Sequence, residues 1–320
     1  KKGRKTPINV KTCACITKGM KGEELADMKE LREAGAVGFT DDGRPMLDEN
    51  LTREAMRCAR SIKMPLSFHE EDPKYIKENG INHGYPSDEM HIYGSDRMAE
   101  ISMVERDCKL ARETGATISI QHISAKESVE LVRKAKKMGL RVFAEATPHH
   151  FSLIDKDVIK YGTLAKMNPP LRAREDRNAL IAGLLDGTID VIATDHAPHA
   201  THEKDLTMRK AAFGIVGSET AFSQLYTKFV KTGVFSLDLL VKLMTEKVAD
   251  TFGLPYGRLE ENGYADLVVI DLEKSLKIDP EKFLSKGRNT PYVGEEIYGI
   301  PVLTLSEGKV AYKDSEVFDI

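Results

Sequence analysis

The feature that most constrains this chain is a recurring one: short apolar runs, rich in β-branched residues, that end in ionisable groups. Asp190–His199 (DVIATDHAPH) is the clearest case, four such residues running into Asp195 with His196 and His199 just beyond. A brief apolar run bounded by turn residues reads as a strand buried in a parallel sheet. Ala36–Phe39 leads in the same way into Thr40-Asp41-Asp42-Gly43, and Met64–Phe68 into His69-Glu70-Glu71-Asp72. Thr117–Gln121 leads into His122, and Arg141–Ala146 into Thr147-Pro148-His149-His150. Asn9–Ile16 alternates like a strand and completes six candidates.

Helical stretches separate these runs: Glu23–Ala34 stopped by Gly35, about Thr52–Lys63, Asp96–Thr114, and Arg174–Asp186 stopped by Gly187. Ser124-Ala125-Lys126-Glu127 has the form of a capping box opening a helix that ends at Gly139. Two more helices are expected near Ser218–Lys231 and Ser236–Phe252. Strands alternating with helices predict a parallel sheet. In a doubly wound sheet only the strands at the switch point deliver side chains to a site, whereas a closed (β/α)8 barrel brings every strand end to one mouth. Five successive polar tips therefore predict an α/β fold of the TIM-barrel kind over residues 1–256, with six strands found where eight are needed. From Gly257 onward short β runs and turns replace the helical period, so 257–320 reads as part of a small β-sandwich subdomain.

Lys plus Arg number 47 and Asp plus Glu 50 in 320 residues, a net charge of −3. That balance provides no electrostatic basis for binding nucleic acid or an anionic membrane. No apolar run approaches the ~20 residues of a membrane helix. The opening shows no signal-peptide pattern. The scattered Cys13, Cys15, Cys58 and Cys108 read as reduced thiols, and a cytoplasmic location is expected.

Taken singly, each tip has an ordinary reading. His69 can simply cap a strand, Asp41-Asp42-Gly43 is turn chemistry, and Glu70, Glu71 and Asp72 read as a solvated loop or as support for neighbouring ligands. His149 and His150 read as groups that orient neighbours or pack beneath the loop, and His83, His91 and His202 as surface residues. Jointly, a carboxylate, two histidines and a second carboxylate at four strand ends form the ligand set of a catalytic zinc site. A bridging carboxylate also suits two metals about 3.5–4 Å apart.

The ordered set FTDDG (Phe39–Gly43), FHEE (Phe68–Glu71), IQHIS (Ile120–Ser124), KMNPPLR (Lys166–Arg172), IATDHAPH (Ile192–His199) and FGIVGSET (Phe213–Thr220) resembles the bacterial type I dihydroorotases of the amidohydrolase superfamily. NGYADLVVID and NTPYVG near the C-terminus are similar too. The resemblance implies a metal-dependent hydrolase that interconverts N-carbamoyl-L-aspartate and L-dihydroorotate in pyrimidine biosynthesis, with two Zn2+ per subunit in the full-length parent. It implies that Asp42 bridges the metals, where hydantoinases and allantoinases use a carboxylated lysine, and that His69 and His122 ligate the more buried metal. Asp195 would ligate the other metal and act as catalytic acid and base. Asn168 and His199 would contact substrate, and the Phe213-Gly214 backbone would meet the edge of the pyrimidine ring. A homodimer is implied, with aspartate transcarbamoylase as a further partner, and Ala200–Ala212 reads as a lid.

One departure from the family stands out. Its first strand carries a His-x-His pair followed by an Arg, with an Asn on the next strand, yet no His-x-His occurs here and no His precedes His69. Together with a chain that opens on KKGRKTP, this leads to the expectation that about the first hundred residues are absent. The chain as given should then bind at most one zinc and be inactive or impaired in turnover. Two rival readings are another cyclic amidohydrolase, a hydantoinase or allantoinase, and a non-catalytic scaffold for aspartate transcarbamoylase. Retention of Asp42, His69, His122 and Asp195 favours the enzyme.

Overall fold

The computed structural model describes residues 6–313 and 316–318. The opening Lys1–Lys5 of the KKGRKTP segment lie outside that range. Six short strands form one parallel sheet in strict chain order: β1 (Cys13–Ala14), β2 (Gly38–Phe39), β3 (Leu66–Phe68), β4 (Ile118–Ile120), β5 (Val142–Ala146) and β6 (Val191–Ile192). Each strand pairs with its neighbours in sequence, which is the order of a TIM barrel; a doubly wound sheet reverses order at a switch point. β1 and β6 are the two ends of the sheet among the described residues. The six expected strands and the barrel-type order are both observed.

Why these residues form strands follows from where their two faces lie. Register pairs Leu66 with Ile118 and Ile118 with Val142, then Phe68 with Ile120 and Ile120 with Ala144. These side chains share one buried cluster with Met56, Val104, Val129, Val132 and Leu180 from the covering helices. Because side chains alternate along a strand, Ser67, Ser119 and Glu145 face the other way, into the barrel. All six strands run in one direction, so their carboxyl ends reach the same mouth.

The helices follow the predicted order with shifted ends. The second begins at Glu49, earlier than expected, because Asp48 accepts from the Asn50 and Leu51 amides as its N-cap. The predicted capping box fails. Lys126–Lys137 has Ala125 at the cap, while Ser124 bonds Glu100 and Glu127 pairs with Arg97. Tertiary partners outcompete the local motif. Ser236–Phe252, expected as one helix, is two, Leu237–Met244 and Glu246–Phe252. Thr245 leaves helical geometry between them (φ −133°, ψ −91°). Gly257 passes so close that a Cβ there would sit 2.8 Å from the Thr245 carbonyl.

The C-terminal strands β7 (Leu267–Lys277), β8 (Glu296–Ser306), β9 (Lys309–Lys313) and β10 (Glu316–Val317) make one antiparallel sheet in the order β10-β9-β8-β7. The expected sandwich is represented by this single layer among the described residues. A second apolar cluster unites Leu153, Met167, Leu171 and Ile215 with Ile278, Tyr292, Ile297 and Ile300. The chain beyond residue 257 thus packs directly against the loops of the barrel mouth.

Candidate metal centre and substrate face

At the mouth, Asp42, His69 and His122 bring one ligand atom each within 4.8 Å of the others. They come from the tips of β2, β3 and β4, three adjacent strands, and both histidines are buried. Adjacent aspartates at the first tip have separate tasks. Asp41 is buried and turns back to accept from the Ile16 and Thr17 amides and the Thr17 hydroxyl, anchoring the end of β1. Asp42 is exposed and left for the cluster.

The histidine pair tests whether a metal fits. His69 Nδ1 and His122 Nε2 lie 3.1 Å apart with rings nearly perpendicular. His69 Nε2 sits 3.0 Å from Glu71 Oε2. A carboxylate there holds the proton on Nε2 and leaves the Nδ1 lone pair facing His122. Two nitrogens bound to one tetrahedral zinc at about 2.0–2.1 Å are separated by about 3.3 Å. The observed spacing matches that arrangement. Burial, and then the neighbouring His69, bring the His122 imidazole down to about 4, so it is neutral as a ligand must be. His122 also adopts φ 31°, a left-handed conformation costly for a side chain bearing a Cβ, and Asp195 does so at φ 46°. Both residues are at candidate ligand positions.

Glu71 belongs to the site, contrary to the solvated-loop reading. It accepts from His69 and Asn168 through Oε2 and from Asn79 through Oε1, and so ties a metal-ligand candidate to a substrate-contact candidate. Glu70 is buried as well, its carboxyl pushed well up by burial and then by Asp107. Asp72 caps the turn Pro73–Tyr75.

Asp195 lies outside the 4.8 Å grouping but within its electrostatic field. Burial raises its carboxyl, the His150 ring opposes this, and Asp42 adds to it. Glu145 was missed in the sequence. It sits on the inward face of β5, bonded to Ser119 and pushed up to about 7 by burial, with Asp42 and Asp195 adding to the shift. A lone carboxylate at the inward register of VFAEA was the available signal. His150, buried, bridges the Thr147 hydroxyl and the Pro169 carbonyl next to Asn168. His83, His91 and His202 are exposed, as expected.

The candidate substrate face is built by two strips of chain laid side by side. Ala197 N donates to Ile215 O at 2.9 Å, and a parallel bridge pairs His196 with Ile215. His196 Nδ1 accepts from the Gly217 and Ser218 amides, which gives this previously unassigned residue a structural task. His199 Nε2 lies 2.9 Å from Phe213 O. Gly214 has φ 117°, and a Cβ there would stand 2.5 Å from Ala197 Cβ, so only glycine fits. The Gly214 amide, expected to be offered to a ring, donates to Lys166 O in this structure. Two buried lysines fasten the end of the 200–212 segment: Lys166 to Ala211 O, and Lys204 to Ala212 O and Gly214 O. Burial, with Lys166 nearby, brings Lys204 down to about 8.

The Amidohydrolase family pattern matches residues 9–311. A dihydroorotase from Fusobacterium nucleatum is 52% identical over 305 residues, covering 95% of this chain and 72% of that protein. One from Clostridioides difficile is 46% identical over 97% of this chain and 73% of that protein. Among solved structures, L-hydantoinase (dihydropyrimidinase) from Arthrobacter aurescens superposes with a TM-score of 0.84 at 25% identity, over 97% of this chain and 71% of that one. These shares do not bear out the expectation that the first hundred residues in particular are absent. Sequence and fold agree: the chain belongs to the amidohydrolase family, among its bacterial dihydroorotases.

Proposed function

We propose that the chain is a dihydroorotase, closing N-carbamoyl-L-aspartate to L-dihydroorotate and reopening it in pyrimidine biosynthesis. The observation that carries this reading is the convergence of Asp42, His69 and His122 at one barrel mouth in a chain 52% identical to a dihydroorotase. The family is metal-dependent, and nitrogen and carboxylate ligands suit zinc. When bound, zinc polarises a carbonyl oxygen and lowers the pKa of a water toward ~7.

The chain's own residues do the rest. His69, His122 and Asp42 would hold the metal. Asp195 takes a proton during hydrolysis and returns it to the ring nitrogen, a task for which a carboxyl raised by burial is suited. Asn168 and His199 hold the substrate α-carboxylate. Phe213 O keeps a free lone pair for the ring edge, while the Gly214 amide must exchange its bond to Lys166 O to reach it. Residues 1–256 act as the catalytic barrel and 257–320 as the small β subdomain. A homodimer, an association with aspartate transcarbamoylase and a cytoplasmic location complete the proposal. No helix among the described residues is long and apolar enough to cross a membrane.

The test is a parallel assay of zinc-loaded protein with dihydroorotate, hydantoin and allantoin. Any turnover is expected with dihydroorotate alone and is abolished in Asp195→Asn; preference for hydantoin or allantoin overturns the assignment. Metal analysis reads the other expectation: at most one zinc per chain, since no His-x-His completes a second set. Two zincs per chain overturn that count. Impaired turnover is read in the same assay as kcat against the Fusobacterium nucleatum relative.

A further inference from the structure

Asn289, in the NTPYVG stretch beyond the barrel, carries no assigned role in the reaction. Its side chain is buried and lies under the junction of the two strips that form the substrate face. Asn289 Nδ2 donates to Ala197 O at 2.9 Å and to Gly214 O at 3.0 Å, and Asn289 Oδ1 accepts from His199 N at 2.8 Å. Its backbone carbonyl accepts from Val216 N at 2.9 Å. The approach is close along the whole segment, for a Cβ on Gly287 would fall 2.7 Å from Pro198 Cβ. Glu219, from the far end of the second strip, accepts from Leu284 and Ser285 amides and so holds the same segment in place.

We infer that Asn289 is a positioning residue of the reaction, setting the spacing between His199 and the Phe213-Gly214 backbone. The inference rests on the proposed substrate contacts of those residues. The chemistry is specific to asparagine. Two carbonyls require two N–H donors on one atom, and one backbone amide requires an acceptor on the other, which only a primary amide of this length supplies. Aspartate has the same shape but sets a carboxylate oxygen against two carbonyl oxygens. Alanine removes all three bonds, leaving two carbonyls and an amide to find other partners. All three side-chain bonds of Asn289 go to the two strips that carry the proposed substrate contacts. It acts on the clamp, and a clamp holds substrate more than it moves protons.

The experiment compares Asn289→Asp, Asn289→Ala and wild-type protein, each loaded with zinc. The expected result is a KM for dihydroorotate raised at least tenfold in both variants, kcat changed less than threefold, and zinc content unaltered. Amide hydrogen exchange supplies a readout independent of turnover. Exchange at His199 in Asn289→Ala should quicken at least tenfold while Leu66, Ile118 and Ile120 stay protected. Unchanged exchange and unchanged KM overturn the inference. Loss of zinc or of core protection together with kcat also overturns it, since that marks general unfolding in place of positioning. A wild-type protein with no preference for dihydroorotate fails the dihydroorotase reading instead, and the exchange result then judges Asn289's hold on His199 alone.

Discussion

At the residue scale, neighbouring side chains of the same type do unlike work because their surroundings differ. Asp41 and Asp42 are the sharpest instance. Removing Asp41 strands buried amides of Ile16 and Thr17, so Asp41→Ala should lower stability by about 1–3 kcal/mol in urea titration. Asp42→Ala should leave the urea midpoint almost unmoved and weaken zinc binding, read by competition with a chelator. The Glu71 carboxylate is the partner that fixes which His69 nitrogen faces the metal position. Partners of this kind typically contribute 10–100-fold in metal affinity, and Glu71→Gln should lose about that much. His69 and His122 were legible in the sequence as candidate ligands because each closes an apolar run in a series of such tips. Glu71 was not, since three acidic residues in a row look alike until one is seen to bond an imidazole.

At the element scale, the segment following β6 carries the proposed substrate contacts. Its two strips meet at Ala197–Ile215 and are fastened from below by Lys166, Lys204 and Asn289. A buried ammonium donating to two carbonyls is a directional fastener, and methionine matches its length without its donors. Lys204→Met should therefore speed limited proteolysis between Thr207 and Phe213 while the parallel sheet keeps its protection against exchange. Unchanged proteolysis would count against the fastening role. The 200–212 segment was read from its charge as a lid. Lys204 and Ala211 prove to be buried in it, because a long polar stretch does not disclose which of its cations turns inward.

At the scale of the whole molecule, buried neutral imidazoles make the protein sensitive to acid. Burial, with His122 next, brings His150 down to about 4, and burial also lowers His149 well below the usual range. The unfolded chain binds these protons near pH 6.5 and the folded chain does not. Stability from this source is thus complete above about pH 6.5 and declines as pH falls toward 4. The urea midpoint of the metal-free protein should drop steeply over that window, and His150→Gln should flatten part of the slope.

What the sequence by itself determined is the repeating unit: an apolar run followed by a helix, six times in order, with a polar tip on the last five runs. That pattern suffices for a parallel sheet of barrel order and for His69, His122 and Asp42 at one end, since parallel strands must share their carboxyl ends. Tertiary structure alone decided the partners that cross between units. Ser124 abandons its local cap for Glu100, Glu145 turns into the barrel, and Asn289 reaches back some ninety residues to His199. Periodicity reports which face of an element is buried. Only the packed molecule settles which donor meets which acceptor, because that pairing depends on distances between segments that the sequence places far apart.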